Sequence, residues 1–263
     1  MKLFKIVAAA LGIAIMAGPA SADQKKLIIA TEGAYPPYNF VAPDGSLQGF
    51  DVDFAKAMCV KLGAQCEIIK QDWDGMIPGL LARKYDVIVA SMGILPEREE
   101  KIDFSIPYYQ SPTGLVANKK SGIKAGADSY VDPATLTGKK IGVQRSTGYE
   151  SFARKTWLNA TIVVYDTPES ADLDATAGRV DARFDDFILL KNGLLSGDAK
   201  SDFERVGNTW PEAAFGSKGE GIGVRKGEKE LLDAINKAIL DMRADGTYKK
   251  INDKFFDFDI YGG

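Results

Sequence analysis

Few residue types in this chain could carry out chemistry, because its 263 residues include no histidine. The Ser-His-Asp and Cys-His arrangements of nucleophilic catalysis are therefore excluded, and so is the commonest ligand of catalytic zinc. Arg98 is a candidate of another kind, because a guanidinium can hold a carboxylate through two parallel hydrogen bonds. It follows a strand-like run that ends at Ala90, although its place in the charged run 97–101 also fits a solvated surface residue. These residue types favour binding over catalysis.

Ser146 and Thr147 stand where a predicted strand turns into a predicted helix. The N-terminus of a helix presents N–H groups without intrahelical partners and the positive end of a dipole, so Thr147 could help to hold an anion. An ordinary N-cap role also explains these two residues, and the two roles can coexist.

Two successive units of alternating strand and helix patterns must position these residues. In the first unit the apolar periodicity predicts strands at 27–31, 67–70 and 86–90, and helices at 51–62 and 74–81. The second unit has predicted strands at 139–143, 161–165 and 180–184, and helices at 149–157 and 168–177. Two further helices are predicted at 228–244 and 248–256, and we expect the last to dock on the first lobe.

The repeated βαβαβ pattern predicts an α/β fold with two lobes joined by two hinge crossings. The proline-bracketed segment 106–112 suits one crossing. We expect residues 23–109 to form the first part of lobe 1, residues 110–208 to form lobe 2, and residues 209–263 to return to lobe 1. A cleft between two lobes is a common place for a ligand.

The N-terminus has the pattern of an export signal at residues 1–22. Lys2 and Lys5 precede an apolar run at 6–17, and small residues at 20–22 form a cleavage pattern. Cleavage removes two lysines and no acid, so the formal charge changes from −3 to −5. An acidic chain of this kind argues against nucleic-acid binding.

The two cysteines, Cys59 and Cys66, lie close together in the sequence. In an exported chain an even cysteine count indicates a disulfide, although two buried free thiols would also fit. We expect a bond that ties the end of a helix to the next strand, with a modest entropic contribution from so short a loop.

Several short motifs follow one another along the whole mature chain. They are TEGAYPPY at 31–38, GFDVD at 49–53, WDGMIP at 73–78, PER at 96–98, AGRVDA at 177–182 and DGTY at 245–248. In their order and spacing they resemble the periplasmic polar amino-acid-binding proteins of ABC importers. The ending FDFDIYGG at 256–263 is very close to the lysine/arginine/ornithine- and histidine-binding members of that family.

The resemblance implies a partner for each charged group of a bound amino acid, since each needs one once water is expelled. Arg98 would hold the α-carboxylate, helped by Thr147 from the opposite lobe, and Asp186 would receive the α-ammonium. Alternatively, Asp185 and Asp186 are a pair of acids at the start of the next helix, where the dipole favours them.

The resemblance also implies side-chain contacts from the first lobe. Tyr35 and Trp73 would form aromatic walls along the ligand, and Glu32 would face its distal cation. This points to arginine, lysine or ornithine. The alternatives are that each ring packs only against its own lobe, and that Glu32 is a rim acid without ligand contact.

The loop 90–93 departs from the lysine/arginine/ornithine pattern, because Ala90 and Gly93 lack a hydroxyl and only Ser91 keeps one. Gly93 also opens space beside the α-ammonium. Together with residues 31–33, this loop resembles the nopaline- and octopine-binding proteins, whose ligands carry a substituent on the α-nitrogen. The aspartate implied for the α-ammonium instead favours an unsubstituted amino acid, because a substituted nitrogen offers fewer protons for hydrogen bonds. We predict a free cationic amino acid as the ligand and an opine as the alternative.

The expected mechanism is hinge closure around a ligand that bridges Arg98 on one lobe and Thr147 and Asp186 on the other. A permease in the inner membrane would read the closed form of this periplasmic, monomeric protein, with no cofactor or metal. Two rival functions share the fold. One is a cyclohexadienyl-type dehydratase, for which Glu32 or Asp186 would be the acid or base, and the other is a chemoreceptor partner.

Overall fold

Thirteen β-strands are formed within residues 26–262, the part of the chain that the computed structural model describes. They are β1 (Lys26–Thr31), β2 (Ala34–Tyr35), β3 (Asn39–Val41), β4 (Leu47–Gln48), β5 (Gln65–Lys70), β6 (Val87–Gly93), β7 (Ile102–Phe104), β8 (Thr113–Asn118), β9 (Lys140–Gln144), β10 (Thr161–Tyr165), β11 (Ala182–Asp186), β12 (Phe203–Arg205) and β13 (Glu220–Arg225). The predicted export signal lies outside the described residues.

Eight α-helices accompany these strands in the described range. They are α1 (Phe50–Leu62), α2 (Met76–Leu81), α3 (Pro96–Glu99), α4 (Gly148–Thr156), α5 (Pro168–Thr176), α6 (Phe187–Asn192), α7 (Lys229–Ala244) and α8 (Thr247–Phe255). Local signals explain several of their ends. Helix α1 stops before Gly63, whose φ of 62° is left-handed, and Pro168 at the start of α5 follows the capping side chain of Thr167.

Each lobe is built around one five-stranded sheet. The first has the order β5-β1-β6-β13-β7, and the second has the order β10-β9-β11-β8-β12. In both sheets three neighbouring strands are parallel and the last two are antiparallel to their neighbours. A small antiparallel sheet of β2, β3 and β4 is added to the first lobe. The two α/β units are those predicted from the repeated pattern.

The chain passes between the two large sheets twice, first between β7 and β8 and again between β12 and β13. Trp210 still pairs with Thr113 at the edge of the second sheet and packs in the core of that lobe. Lobe 2 therefore extends beyond the predicted boundary at residue 208.

The first lobe is closed by contacts that are distant in sequence. Helix α8 packs on α1 and α7, which is the docking expected from the sequence. Cys59, at the end of α1, is bonded to Cys66 in β5, with the two Cα atoms 6.2 Å apart, so the predicted disulfide is confirmed. Within residues 26–262 no helix combines the length and the apolar character needed to cross a bilayer.

The parallel strands point their carboxyl ends at the space between the lobes. Strands β1 and β6 deliver Glu32 and Gly93 from the first lobe, and β9 delivers Gln144 from the second. This edge is where open α/β sheets usually bind ligands, because side chains from several strands converge there.

Candidate ligand-binding cleft

A cavity lined by residues of both lobes lies between them. Eight of the nine residues implied for ligand binding line it: Glu32, Tyr35, Trp73, Ala90, Ser91, Gly93, Arg98 and Thr147. The ninth, Asp186, is not among the lining residues. The lining also includes residues that the sequence did not single out, chiefly Gln144, Tyr149, Glu212, Ser217 and Glu220.

Arg98 lies in the cavity wall with its guanidinium bonded only to neutral groups. Its Nη1 donates to the carbonyl of Gly93 at 2.9 Å, and its Nη2 donates to the carbonyl of Ser146, on the other lobe, at 3.0 Å. The side chain is buried, and burial lowers the pKa of Arg98 from its ordinary value. A buried guanidinium without a carboxylate partner is well suited to an anionic ligand group.

The start of α4 faces the same cavity from the second lobe. Thr147 is its N-cap, because the hydroxyl accepts a hydrogen bond from the N–H of Glu150 at 3.2 Å while donating to the carbonyl of Gln144. Gly148 and Tyr149, the first residues of the helix, line the cavity beside it. The N-cap interpretation of Thr147 is therefore correct, and the helix presents its positive end to the cleft.

Two aromatic side chains of the first lobe reach across to the second. Trp73 donates from its indole Nε1 to the carbonyl of Ser146 at 3.4 Å, and the Arg98 guanidinium carbon lies 5.2 Å from the Trp73 ring centroid. Tyr35 donates its hydroxyl to Asp185 of β11 at 2.8 Å. Both rings thus line the cleft and contact the opposite lobe, so neither packs only within its own lobe.

Glu32 is buried at the end of β1, where only 3% of the residue is exposed. Its Oε1 accepts a hydrogen bond from the side-chain amide of Gln144, across the cleft, at 2.6 Å. Burial raises the pKa of Glu32 to about 8, although the bond from Gln144 opposes this shift. Glu32 is therefore not an exposed acid at the rim of the cleft. It is a buried carboxyl whose ionised form a ligand cation could stabilise.

The loop 90–93 offers less to a ligand than its sequence implies. The hydroxyl of Ser91 is engaged by the buried Asp51, to which it donates at 2.9 Å. Gly93, by contrast, leaves room for about one carbon atom, because a Cβ added there would meet its nearest atoms at ordinary contact distance, 3.5 Å.

Asp186, which the resemblance implies for the α-ammonium, is not among the residues that line this cavity. Its carboxylate accepts a hydrogen bond from the Tyr38 hydroxyl at 3.1 Å and another from the N–H of Leu189, at the start of α6, at 2.8 Å. Burial raises the pKa of Asp186 to about 7. We call Tyr35, Tyr38, Asp185 and Asp186 the hinge wall, since Tyr38 also bonds Ser111 in the first crossing segment. The carboxylates of this wall are engaged by protein donors.

Two acids that the sequence did not single out lie in the cavity wall. Glu212 and Glu220 are 9% and 5% exposed, and among the described residues neither Glu212 Oε1 nor Glu220 Oε2 has a hydrogen-bond partner. Burial and the neighbouring Glu212 raise the pKa of Glu220 well above its ordinary value. In the sequence, Glu220 is marked only by its place in the glycine-rich run at 219–223.

The sequence matches the family described as bacterial extracellular solute-binding proteins, family 3, over residues 27–258. This chain belongs to that family. The L-arginine-binding protein of Pseudomonas aeruginosa is 40% identical to this solute-binding protein over 255 residues, which cover 96% of each chain. The octopine-binding periplasmic protein of Rhizobium meliloti is 34% identical, with 99% of each chain covered. An ancestral arginine-binding protein solved bound to arginine is 36% identical with a TM-score of 0.79, covering 89% of this chain and 99% of that one.

The resemblance drawn from the motifs and the two-lobed fold are therefore confirmed. The cleft of this solute-binding protein combines one buried cation, several buried carboxyl groups, aromatic walls and a helix N-terminus. Within residues 26–262 no cluster of three or more acidic or cysteine side chains has the arrangement of a metal site. The groups that line the cleft are suited to recognising a small zwitterion.

Proposed function

We propose that this solute-binding protein captures a cationic L-amino acid, L-arginine first, between its lobes and delivers it to the permease of an ABC importer. The observation that carries this proposal is the coexistence, in one cavity, of Arg98 without a carboxylate partner and buried acids such as Glu32. A ligand with one carboxylate and more than one cation complements that set.

The ligand's α-carboxylate would bind Arg98, since a guanidinium and a carboxylate form two parallel hydrogen bonds. In this structure Arg98 donates to the carbonyl of Gly93 in the first lobe and to the carbonyl of Ser146 in the second. A carboxylate there would strengthen a bridge between the lobes and so favour the closed form. Thr147 and the N-terminus of α4 would add their positive potential from the second lobe.

The ligand's side chain would lie between Tyr35 and Trp73 and end at Glu32. The aromatic faces suit the aliphatic stem and a cationic head group. Ionised Glu32 would then pair with the distal cation in place of the proton that it holds when its pKa is about 8. Arginine, lysine and ornithine all satisfy this geometry, and the arginine-binding relatives favour arginine.

The decisive experiment compares L-arginine with L-citrulline, which has nearly the same shape but no distal charge. Isothermal titration of the mature protein should give L-arginine an affinity about 100-fold higher, since one buried charged pair is at stake. Glu32→Gln should shrink this ratio to less than about tenfold, while the exposed Glu67→Gln control should leave it unchanged. Equal affinities of the unaltered protein for the two ligands would refute the cationic assignment.

A second candidate ligand is an opine, and one observation favours it. A Cβ at Gly93 would lie 3.5 Å from Arg98 Nη1, at ordinary contact distance, so the glycine leaves room there for about one carbon of a substituent on the ligand's α-nitrogen. The octopine-binding relative supports the same possibility. Octopine and nopaline belong in the same titration series, and binding of these two without L-arginine would replace the first candidate.

We infer further that the protein acts in the periplasm, as a monomer, and releases its ligand unchanged. Relatives named as binding proteins support a role without turnover. A dehydratase would instead use an acid such as Glu32. Incubation with a cyclohexadienyl acid, followed by chromatography, should return the acid intact, and its conversion would favour the enzyme.

A further inference from the structure

The hydroxyl group of Tyr35 makes a side-chain hydrogen bond from one lobe to the other. Tyr35 lies in β2 of the first lobe and donates at 2.8 Å to Oδ1 of Asp185, in β11 of the second lobe. Both residues are buried, at 6% and 0% exposure. Burial raises the pKa of Tyr35 well above its ordinary value, so the phenol remains a hydrogen-bond donor. The bond must break when the lobes separate.

The charge of Asp185 is compensated within its own lobe. Its Oδ2 accepts a hydrogen bond from Nη2 of Arg183 at 3.0 Å, and its Oδ1 accepts one from the N–H of Asp186 at 2.9 Å. Arg183 is fully buried and also donates to Asp172 at 2.7 Å and to the carbonyl of Gly142 at 2.9 Å. All these partners belong to the second lobe. Opening of the cleft therefore leaves the carboxylate paired, and only the bond that crosses the cleft is lost.

This bond differs from another side-chain pair that joins the lobes, Glu32 and Gln144. In the proposed function Glu32 pairs with the distal cation of the ligand, so its bond to Gln144 competes with the ligand. The Tyr35 ring lines the cavity, whereas its hydroxyl is bonded to an acid that is not among the lining residues. The bond can therefore persist while a ligand lies against the ring.

We propose that Asp185 is a positioning residue for Tyr35, and that the bond between them stabilises the closed form and slows release of the ligand. This proposal rests on the hinge closure of the proposed function. Because the bond forms only in the closed form and contacts no ligand atom, it changes the closing equilibrium by the same factor for every ligand. A hydrogen bond to a buried carboxylate is worth about tenfold in such an equilibrium.

The test is a double-mutant cycle built on Tyr35→Phe, which removes the hydroxyl and keeps the ring. Isothermal titration should show that L-arginine and L-lysine each lose about tenfold in affinity, by the same factor. Dissociation of both ligands, followed by stopped-flow tryptophan fluorescence, should be about tenfold faster, since closure follows binding. In the Asp185→Asn background the same change should cost less than about threefold, because a neutral amide oxygen accepts a weaker bond.

Tyr165→Phe is the matched control. The Tyr165 hydroxyl donates to Asp174 at 2.7 Å, and both residues belong to the second lobe. This variant also loses a bond between a phenol and a carboxylate, but the bond does not depend on closure. Its affinities and dissociation rates should stay within about twofold of those of the unaltered protein.

Three results would overturn the inference. They are unchanged affinity in Tyr35→Phe, a loss for only one of the two ligands, and a loss of full size in the Asp185→Asn background. If Asp185→Asn does not fold, Asp185→Gln takes its place in the cycle. Binding of octopine without L-arginine would refute the proposed ligand alone, and the same loss in Tyr35→Phe should then be found with octopine.

Discussion

The acids of the hinge wall and the pair Glu212 and Glu220 are all buried, yet the two groups differ in their hydrogen-bond partners. In the hinge wall the Asp186 carboxylate is bonded to the Tyr38 hydroxyl and to the N-terminus of α6. In the other set, one oxygen of each acid has no partner among the described residues. Buried acids therefore differ in how many protein donors they have, and those with fewer donors have more capacity left for a ligand.

This difference in hydrogen bonding predicts opposite effects on the stability of the ligand-free protein when each kind of acid is removed. An acid whose bonds are complete contributes to the folded state, and its removal leaves other groups unpaired. An acid without a partner costs free energy until a ligand arrives, so its removal should relieve the free protein. The following changes test that separation.

Asp186→Ala should have the largest effect on stability. We expect the free energy of unfolding to fall by about 3 kcal/mol, because α6 loses its cap and the Tyr38 hydroxyl loses its acceptor. Urea denaturation without ligand, at a pH below the range in which Asp186 ionises, measures this change. The exposed Asp257→Ala serves as control and should shift it by less than about 0.5 kcal/mol. A loss of similar size in the control would undermine the structural role of Asp186.

The pH dependence of stability should reflect the same wall. Burial raises the pKa of Asp186 from 3.8 to about 7, so the folded protein holds a proton that the unfolded chain releases. The contribution of this group is fully present below about pH 4 and is lost as the pH rises through about 7, with a slope of at most about 1.4 kcal/mol per pH unit. Asp186→Asn should flatten the dependence between pH 5 and 8, and an unchanged slope would contradict the raised pKa.

Glu220→Gln should act in the opposite direction. We expect the ligand-free protein to gain about 1 kcal/mol at pH 8, because the change removes one of two adjacent buried acids and supplies an amide donor to Glu212. Chemical denaturation at pH 8 measures the gain. A destabilisation larger than about 1 kcal/mol would mean that Glu220 has structural partners after all.

Gly93→Ala should produce the smallest effect in the absence of a substituted ligand. The added Cβ meets its neighbours at ordinary contact distance, so stability should change by less than about 0.5 kcal/mol. Affinity for L-arginine should change less than about threefold, whereas Nα-methyl-L-arginine should lose about tenfold through crowding. Equal effects on the two ligands, measured by titration, would show that the space beside Gly93 is not used.

The sequence predicted the regular elements well where the apolar period was strong. Strand β10 has the predicted bounds, and α7 begins one residue after its predicted start. Strand β13 was missed, although it lies between β6 and β7 in the first sheet. Its glycines, Gly221 and Gly223, interrupt the alternation that reveals a strand, and only tertiary pairing makes it regular.

Prediction of the site was limited in the same way, by contacts between residues that are distant in sequence. Resemblance pointed to Arg98, Glu32, Tyr35 and Trp73, and all four line the cavity. The environment of Asp186 depends on Tyr38, 148 residues away, and no local pattern contains that contact. Glu220 could not be distinguished from a surface acid, since its pairing with Gly93 of β6 is a tertiary contact that no local pattern contains.

The indole of Trp73 spans the cleft, and this has an optical consequence. The other two tryptophans, Trp157 and Trp210, are packed in the core of the second lobe, away from the cavity lining. Any change in fluorescence when the lobes part should therefore come from one chromophore, whose hydrogen bond to Ser146 joins the two lobes. The protein carries an intrinsic reporter of its own closure, which could follow ligand capture on the millisecond scale without an attached dye.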